Sequence, residues 1–414
     1  MMKSRARWER VRRSGLLWAV TLVLGAAAEP VAADPGQPAG KVAGKVASKP
    51  RARDLGIPFD GQPGPHNAIT DVPGVEVGHV TLIVGHGPLR VGKGPVRTGV
   101  TAILPRGKSS RTRSVSAVVS LNGNGELTGS HWVQESGLLE SPILITNTDS
   151  VGVVRDAVIS WGNRRFPPST VLEEAFGLPV VAETSDALLN DISGQHVNRE
   201  HVWKALDEAR PGPVAEGNVG GGTGMMTSEF KGGIGTSSRV VSLPSGKYTV
   251  GVLVQANYGR RGDLRIAGVP IGKEIADLMP VFPQLQEKRR DGSLIVVVGT
   301  DAPLLPHQMA RLVRRVSVGL GRLGAVSYNS SGDIFIGFGM PEPEPTATGI
   351  QTWTAISNEG IDKLLQATVH ATEESIVNAL IAAETMVGAS GATVYALPHD
   401  RLREVLRKYG RLVQ

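Results

Sequence analysis

Ser293 follows Gly292 and opens the run 293–300, Ser-Leu-Ile-Val-Val-Val-Gly-Thr, whose β-branched apolar residues read as a buried strand. A hydroxyl on the first residue of a strand, behind a glycine with no side chain to shield its carbonyl, is suited to self-cleavage. The Ser293 hydroxyl attacks the Gly292 carbonyl, the acyl group shifts from nitrogen to oxygen, and water hydrolyses the ester. Ser293 is then a new chain start, and its freed α-amine, with an ordinary pKa of about 7.7–8.0, can act as a base beside the hydroxyl. A Gly-Ser step before a strand is also a common turn, and this feature alone leaves both readings open.

Three other places carry chemistry. Ser331 and Asp333 stand two apart on a later loop. Asn257 ends the run 248–257, where its amide can donate to a developing oxyanion or form a turn before Tyr258-Gly259. Glu183 follows the short strand 180–182, a position suited to meeting a ligand as well as to capping or solvent exposure. Other chemistries lack their residues. The His residues are scattered with no His-Glu-x-x-His, Cys is absent, and Gly-x-Ser-x-Gly is missing, so neither a metal site nor a cofactor is expected. Gly220-x-Gly222 lacks the flanking strand, helix and distal acid of a dinucleotide fingerprint.

The elements that must position these residues alternate along the chain. Strands are expected over 75–84, 99–104, 115–121, 180–182 and 293–300, with a hairpin from 240–243 and 248–257. A strand pair is expected from 324–329 and 334–338. Helical spacing marks 151–161, 200–209, 308–323, 359–387 and 401–408. Frequent hairpins among interleaved helices favour a mixed sheet covered by helices, an α/β (α+β) architecture. Residues 258–292 are rich in Pro and charge and suit an exposed processing loop.

The chain has 414 residues, 41% hydrophobic and 20% charged, enough for a large core. Aromatics are only 4%, which argues against a stacking platform for nucleic acid. The formal charge of +6 is concentrated in the first 13 residues, so no polyanionic partner is implied. That basic start, an apolar run over 15–28 and small residues before Asp34 predict a signal peptide over 1–33 and a periplasmic location, with no membrane attachment after its removal. The apolar run is shorter than the roughly 20 residues of a spanning helix. Residues 34–55, rich in Pro, Gly, Ala and Lys, read as a flexible segment. With no Cys, stability must come from packing rather than disulfides.

Several runs together resemble one family. They are residues 121–129 (Leu-Asn-Gly-Asn-Gly-Glu-Leu-Thr-Gly), 145–148, 182–184, 217–225, 230–235, 255–257, 292–307 and 331–333, in order across nearly the whole chain after the leader. The sequence resembles the aminopeptidases that include the L-aminopeptidase/D-amino-acid esterase-amidases and the β-peptidyl aminopeptidases. The resemblance implies a precursor cut between Gly292 and Ser293 into an α chain (56–292) and a β chain (293–414) of one catalytic domain. It implies a four-layer αββα sandwich and a homo-oligomer, a tetramer of αβ pairs. It further implies Ser293 as nucleophile, Ser331 and Asp333 as the supporting serine and acid, Asn257 as oxyanion donor, and Glu183 as the acid that holds the substrate's free ammonium. Two positions after that acid an aromatic residue is expected, and this chain has Ser185, followed by Ala187. The binding pocket is therefore expected to be wide. The implied substrates are short peptides, amino-acid amides or esters, or β-peptides. An amidase for ω-amino acid oligomers, a small-molecule acyltransferase and a non-catalytic periplasmic binding protein are the alternatives, the acyltransferase disfavoured because such enzymes use a Thr nucleophile.

Overall fold

The structure is a computed structural model that describes residues 49–170, 175–284, 292–344 and 346–412. The expected signal peptide, residues 34–48 of the expected flexible segment and the charged run 286–291 lie outside the described residues.

Two mixed sheets face each other. The smaller has the order β1 (Glu76–Val84), β2 (Val96–Leu104), β5 (Ile143–Thr146), β6 (Val180–Glu183). The larger has the order β4 (Leu138–Leu139), β3 (Ser114–Gly123), β12 (Gly332–Pro341), β11 (Ser293–Thr300), β10 (Gly246–Asn257), β9 (Gly233–Leu243). Pairing is antiparallel except for β5 with β6 and β11 with β12. Two small ribbons, β7 (Met226–Thr227) with β8 (Phe230–Lys231) and β13 (Met386–Val387) with β14 (Thr393–Val394), form separate two-stranded sheets.

The two-residue period of a strand explains the layering. In β11, Leu294, Val296 and Val298 face one apolar core while Ile295 and Val297 face another. The first core packs the larger sheet against α5 (Pro306–Arg314), α6 (Val316–Arg322), α7 (Asp362–Ile381) and α8 (His399–Lys408). The second lies between the sheets, where Ile103, Ile143, Ile145 and Val180 meet Leu253, Ile295, Ile334 and Ile336. A third covers the outer face of the smaller sheet with Val154, Ala157 and Trp161 of α2 (Val151–Arg165) and Val202, Ala205 and Leu206 of α3 (Arg199–Asp207). The result is the expected four-layer αββα sandwich. Two short helices, α1 (Ser130–Ser136) and α4 (Ile271–Glu274), complete the set. Every residue of β11 is buried, which is why it reads as one continuous apolar run. Each of its large aliphatic side chains contributes about 1.5–3 kcal/mol by leaving water.

Several expectations are corrected. Residues 324–329 form no strand, because Ser327 takes a positive φ of 54° and the turn closes with Ser331 N–H donating to Tyr328 O. β12 pairs with β3 and β11 instead. The helix expected over 308–323 is two helices that break at Arg315. The tail expected to be flexible through residue 55 is fixed from Arg51 onward: Arg51 pairs with Glu216 at 2.7 Å, Arg53 with the buried Glu374 at 2.8 Å, and Ala52 is fully buried. Residues 258–284 are likewise anchored rather than loose. The buried Arg261 guanidinium donates to the carbonyls of Glu229, Ile275 and Leu278 and lies 3.3 Å over the Phe230 ring.

Candidate active site

Strand register brings the reactive residues to one end of the larger sheet. Asn257 ends β10 directly opposite Ser293, which starts β11, and Ser293 in turn pairs with Gly332 at the start of β12. Ser293 shares its side of β11 with Ile295 and Val297, and Asn257 shares its side of β10 with Leu253, so both side chains point toward the space between the sheets. There a cleft of about 670 Å³ opens, lined by Gly292, Ser293 and Asn257 from the larger sheet and by Glu183 and Ser185 from the end of β6.

Gly292 is required by its neighbour. A β-carbon on it would sit 1.6 Å from the Asn257 carbonyl oxygen, so no other residue fits without moving the strand end. The same position lies 3.3 Å from Asn257 Nδ2, which places that amide beside Gly292. The orientation of the Asn257 amide is dictated by its partners. Met226 N–H donates to Oδ1 at 2.9 Å, and Nδ2 donates to the Ser185 carbonyl at 2.9 Å. A backbone N–H cannot accept and a carbonyl cannot donate, so oxygen and nitrogen cannot be exchanged. One N–H of Nδ2 is left for the cleft, the arrangement an oxyanion donor needs.

Ser331 and Asp333 do not line the cleft. They lie behind it, both buried, with Ser331 Oγ donating to Asp333 Oδ1 at 2.8 Å. Burial raises the Asp333 carboxyl above the ordinary aspartate value, and the hydroxyls of Ser331 and Ser327 oppose the rise. The nearby Tyr258 phenol is held up by its own burial and then by the Asp333 charge. The end of β3 and the turn after it fix this loop: Asn122 Nδ2 donates to Tyr328 O at 2.6 Å and Asn124 Nδ2 to Ser330 O at 2.7 Å. The Asn/Gly-rich run 121–129 thus joins the two halves of the site.

Glu183 is buried at the cleft wall. Glu126 N–H donates to Oε1 at 3.1 Å and the Thr148 hydroxyl to Oε2. Burial raises its pKa above the usual glutamate value, those two hydrogen bonds lower it, and the carboxylates of Glu126 and Asp149 raise it again. All three acids line the cleft, and none of the described lining residues is Lys, Arg or His. Among the described residues the cleft is therefore an acidic socket without a counter-charge. A cation placed there relieves the repulsion. Ser185 presents an exposed side chain toward this space and Ala187 is also exposed, so the wall is low where an aromatic residue was expected, while Leu188 and Ile192 add an apolar side.

Sequence reasoning named Glu183, Ser185, Asn257, Gly292 and Ser293, and the structure brings them to one cleft. It did not assign Thr148 and Glu126, which hold Glu183, or Met226, which orients Asn257. Their signal was present, since the quoted runs 121–129, 145–148 and 217–225 lie on or beside them. Nothing in those runs said which carboxylate or amide they would reach.

A model of peptidase family S58 matches residues 67–394. A beta-peptidyl aminopeptidase of Sphingosinicella microcystinivorans is 50% identical over 375 residues, covering 88% of this chain and 93% of that protein. A second, from Sphingosinicella xenopeptidilytica, is 49% identical over 369 residues, 86% of this chain and 91% of that protein. Among solved structures, the L-aminopeptidase D-Ala-esterase/amidase from Ochrobactrum anthropi, a prototype serine aminopeptidase with a variant of the Ntn hydrolase fold, superposes with a TM-score of 0.81 at 47% identity. That match covers 88% of this chain and all of the other. A beta-aminopeptidase from Burkholderia sp. gives a TM-score of 0.78 at 47% identity, covering 87% of this chain and 99% of the other.

Proposed function

The chain belongs to peptidase family S58, the serine-type aminopeptidases with an N-terminal nucleophile, and we propose that it matures itself at Gly292-Ser293 and then removes N-terminal residues from small free-amine substrates. The observation that carries this reading is the joining of two unlike walls in one cleft: Ser293 and Asn257 on one side, and the acidic socket of Glu183 on the other.

In maturation, Ser293 Oγ attacks the Gly292 carbonyl carbon while Asn257 Nδ2 donates to the developing oxyanion. The C–N bond breaks as the nitrogen takes a proton, leaving an ester. Water hydrolyses that ester to a Gly292 carboxylate and a Ser293 with free hydroxyl and free amine. In turnover the amine takes the Oγ proton, Oγ attacks the substrate carbonyl, and the leaving amine departs protonated. The acyl-Ser293 intermediate then yields to water. Ser331 and Asp333 support the proton path from behind. Glu183 pairs with the substrate ammonium and so favours free over blocked amines by tens- to hundred-fold, from a charge-assisted hydrogen bond worth about 1.5–3 kcal/mol.

The low wall at Ser185 supports β-peptides and longer amino acid amides among the substrates, and the beta-peptidyl aminopeptidase relatives point the same way. The basic and then apolar start of the chain supports export to the periplasm. The test combines an intact-mass spectrum of the purified protein with an assay of matched free-amine and N-acetylated amides and β-dipeptides. Two chains, one beginning at Ser293, together with cleavage restricted to free amines are expected. A single uncut chain would overturn the maturation step, and equal turnover of acetylated substrates would overturn the role of Glu183.

A further inference from the structure

Lys231, on β8, is fully buried. Its Nζ donates to the carbonyl oxygens of Met225 at 2.6 Å and Gly232 at 2.8 Å, with Gly222 O at 3.5 Å. Among the described residues no carboxylate pairs with it. A buried lysine without an acid is costly, and the mechanism above does not use it.

What it touches is one peptide group away from the oxyanion donor. The Met225 carbonyl and the Met226 N–H belong to the same peptide group. Lys231 Nζ donates to the oxygen of that group at 2.6 Å, and the N–H of that group donates to Asn257 Oδ1 at 2.9 Å. Gly232 N–H adds a second donor to the same Met225 oxygen at 3.1 Å. Each donor drawn onto an amide oxygen makes the N–H of that amide a stronger donor in turn. The chain of polarisation runs from Lys231 through the 225–226 peptide to the Asn257 carboxamide and leaves by Nδ2.

We propose that Lys231 is a positioning residue for the reaction, which fixes and polarises the 225–226 peptide so that Asn257 binds the tetrahedral oxyanion more tightly than it binds the substrate carbonyl. This rests on the reading of Asn257 as oxyanion donor. Burial, with Lys49 adding to it, pulls the Lys231 pKa well below the ordinary lysine value. The three converging carbonyl oxygens oppose that pull: only an ammonium has three N–H groups, and a neutral amine would turn its lone pair against one of them.

The test is K231M, with folding checked by circular dichroism and rates normalised to the amount of Ser293-initiated chain counted by mass. Three quantities are compared with wild type: kcat for an amino-acid amide, inhibition by a free-amine boronic acid whose tetrahedral adduct mimics the oxyanion, and inhibition by the free amino acid product. Since loss of a whole oxyanion donor costs about 100–1,000-fold, loss of the group that polarises it is expected to lower kcat and boronate affinity together by about tenfold. Product affinity is expected to stay within about twofold, because the product binds through Glu183 and makes no oxyanion. Unchanged boronate affinity, or an equal fall in product affinity, overturns the proposal. If K231M does not fold, K231Q, which keeps one N–H for Met225 O, takes its place with the same comparison, and unfolding of both makes Lys231 a folding residue and also overturns it. Wild-type kcat in N257A marks a different failure, that of the oxyanion reading itself.

Discussion

The cleft has two walls of different construction. The wall from the larger sheet is built by register: Asn257, Ser293 and Gly332 are successive partners across three hydrogen-bonded strands, so their spacing follows from strand geometry. The wall from the smaller sheet is built by charge: Glu183 is held by Thr148 and Glu126 N–H beside two further acids, with no cation among the described lining residues. A bond-breaking apparatus gains from rigidity, because a reacting atom misplaced by an ångström loses much of the effect of orientation. A binding socket needs only charge and room. This division predicts that damage to the first wall appears in kcat and damage to the second in KM.

The sharpest break is S293A. Turnover is expected to vanish, and the intact mass should be that of one uncut chain, since the proposed mechanism gives the same hydroxyl both reactions. N257A comes next, lowering kcat by about 100–1,000-fold with little change in KM, as steady-state kinetics on an amide substrate would show. A comparable rise in KM would contradict the division of labour. E183Q should lower kcat/KM by about 10–100-fold, mostly through KM.

The same acid sets a pH dependence. The socket attracts an ammonium only while Glu183 is ionised, and burial raises its pKa above the ordinary glutamate value. As pH falls, kcat/KM should decline first as the Ser293 amine that takes the Oγ proton is itself protonated, and again as Glu183 is protonated, at a higher pH than an exposed glutamate would give. The free-enzyme profile of E183Q should keep the first limb and lose the second. An identical second limb in E183Q would assign it elsewhere. The smallest effect is expected from S185Y, which raises the low wall with a side chain while leaving the Ser185 carbonyl to hold Asn257. Selectivity should move by less than about tenfold toward short α-amides and away from longer amines, measured as a ratio of kcat/KM values.

Legibility in the sequence followed the range of the interactions. The run 293–300 announced itself because a strand buried on both faces must be apolar throughout. Gly292 was read as an unshielded carbonyl, whereas the structure adds the close approach of the Asn257 backbone that excludes any side chain. Arg261 was read as part of an exposed loop because its charge suggests solvent. In the fold its guanidinium finds carbonyl acceptors and the Phe230 ring, partners that no local pattern displays. The expected strand at 324–329 failed for a local reason: alternation alone cannot see a residue held at positive φ.

By itself the sequence determined which residues could react and which segments must be buried, because composition, strand period and glycine placement are local properties written in neighbouring positions. Only the tertiary structure decided which strand ends meet, that Ser331 and Asp333 stand behind the cleft rather than in it, and that Lys231 reaches Asn257 through one peptide group. Those facts depend on register and sheet order between segments distant in sequence, where distance along the chain carries no information about distance in space.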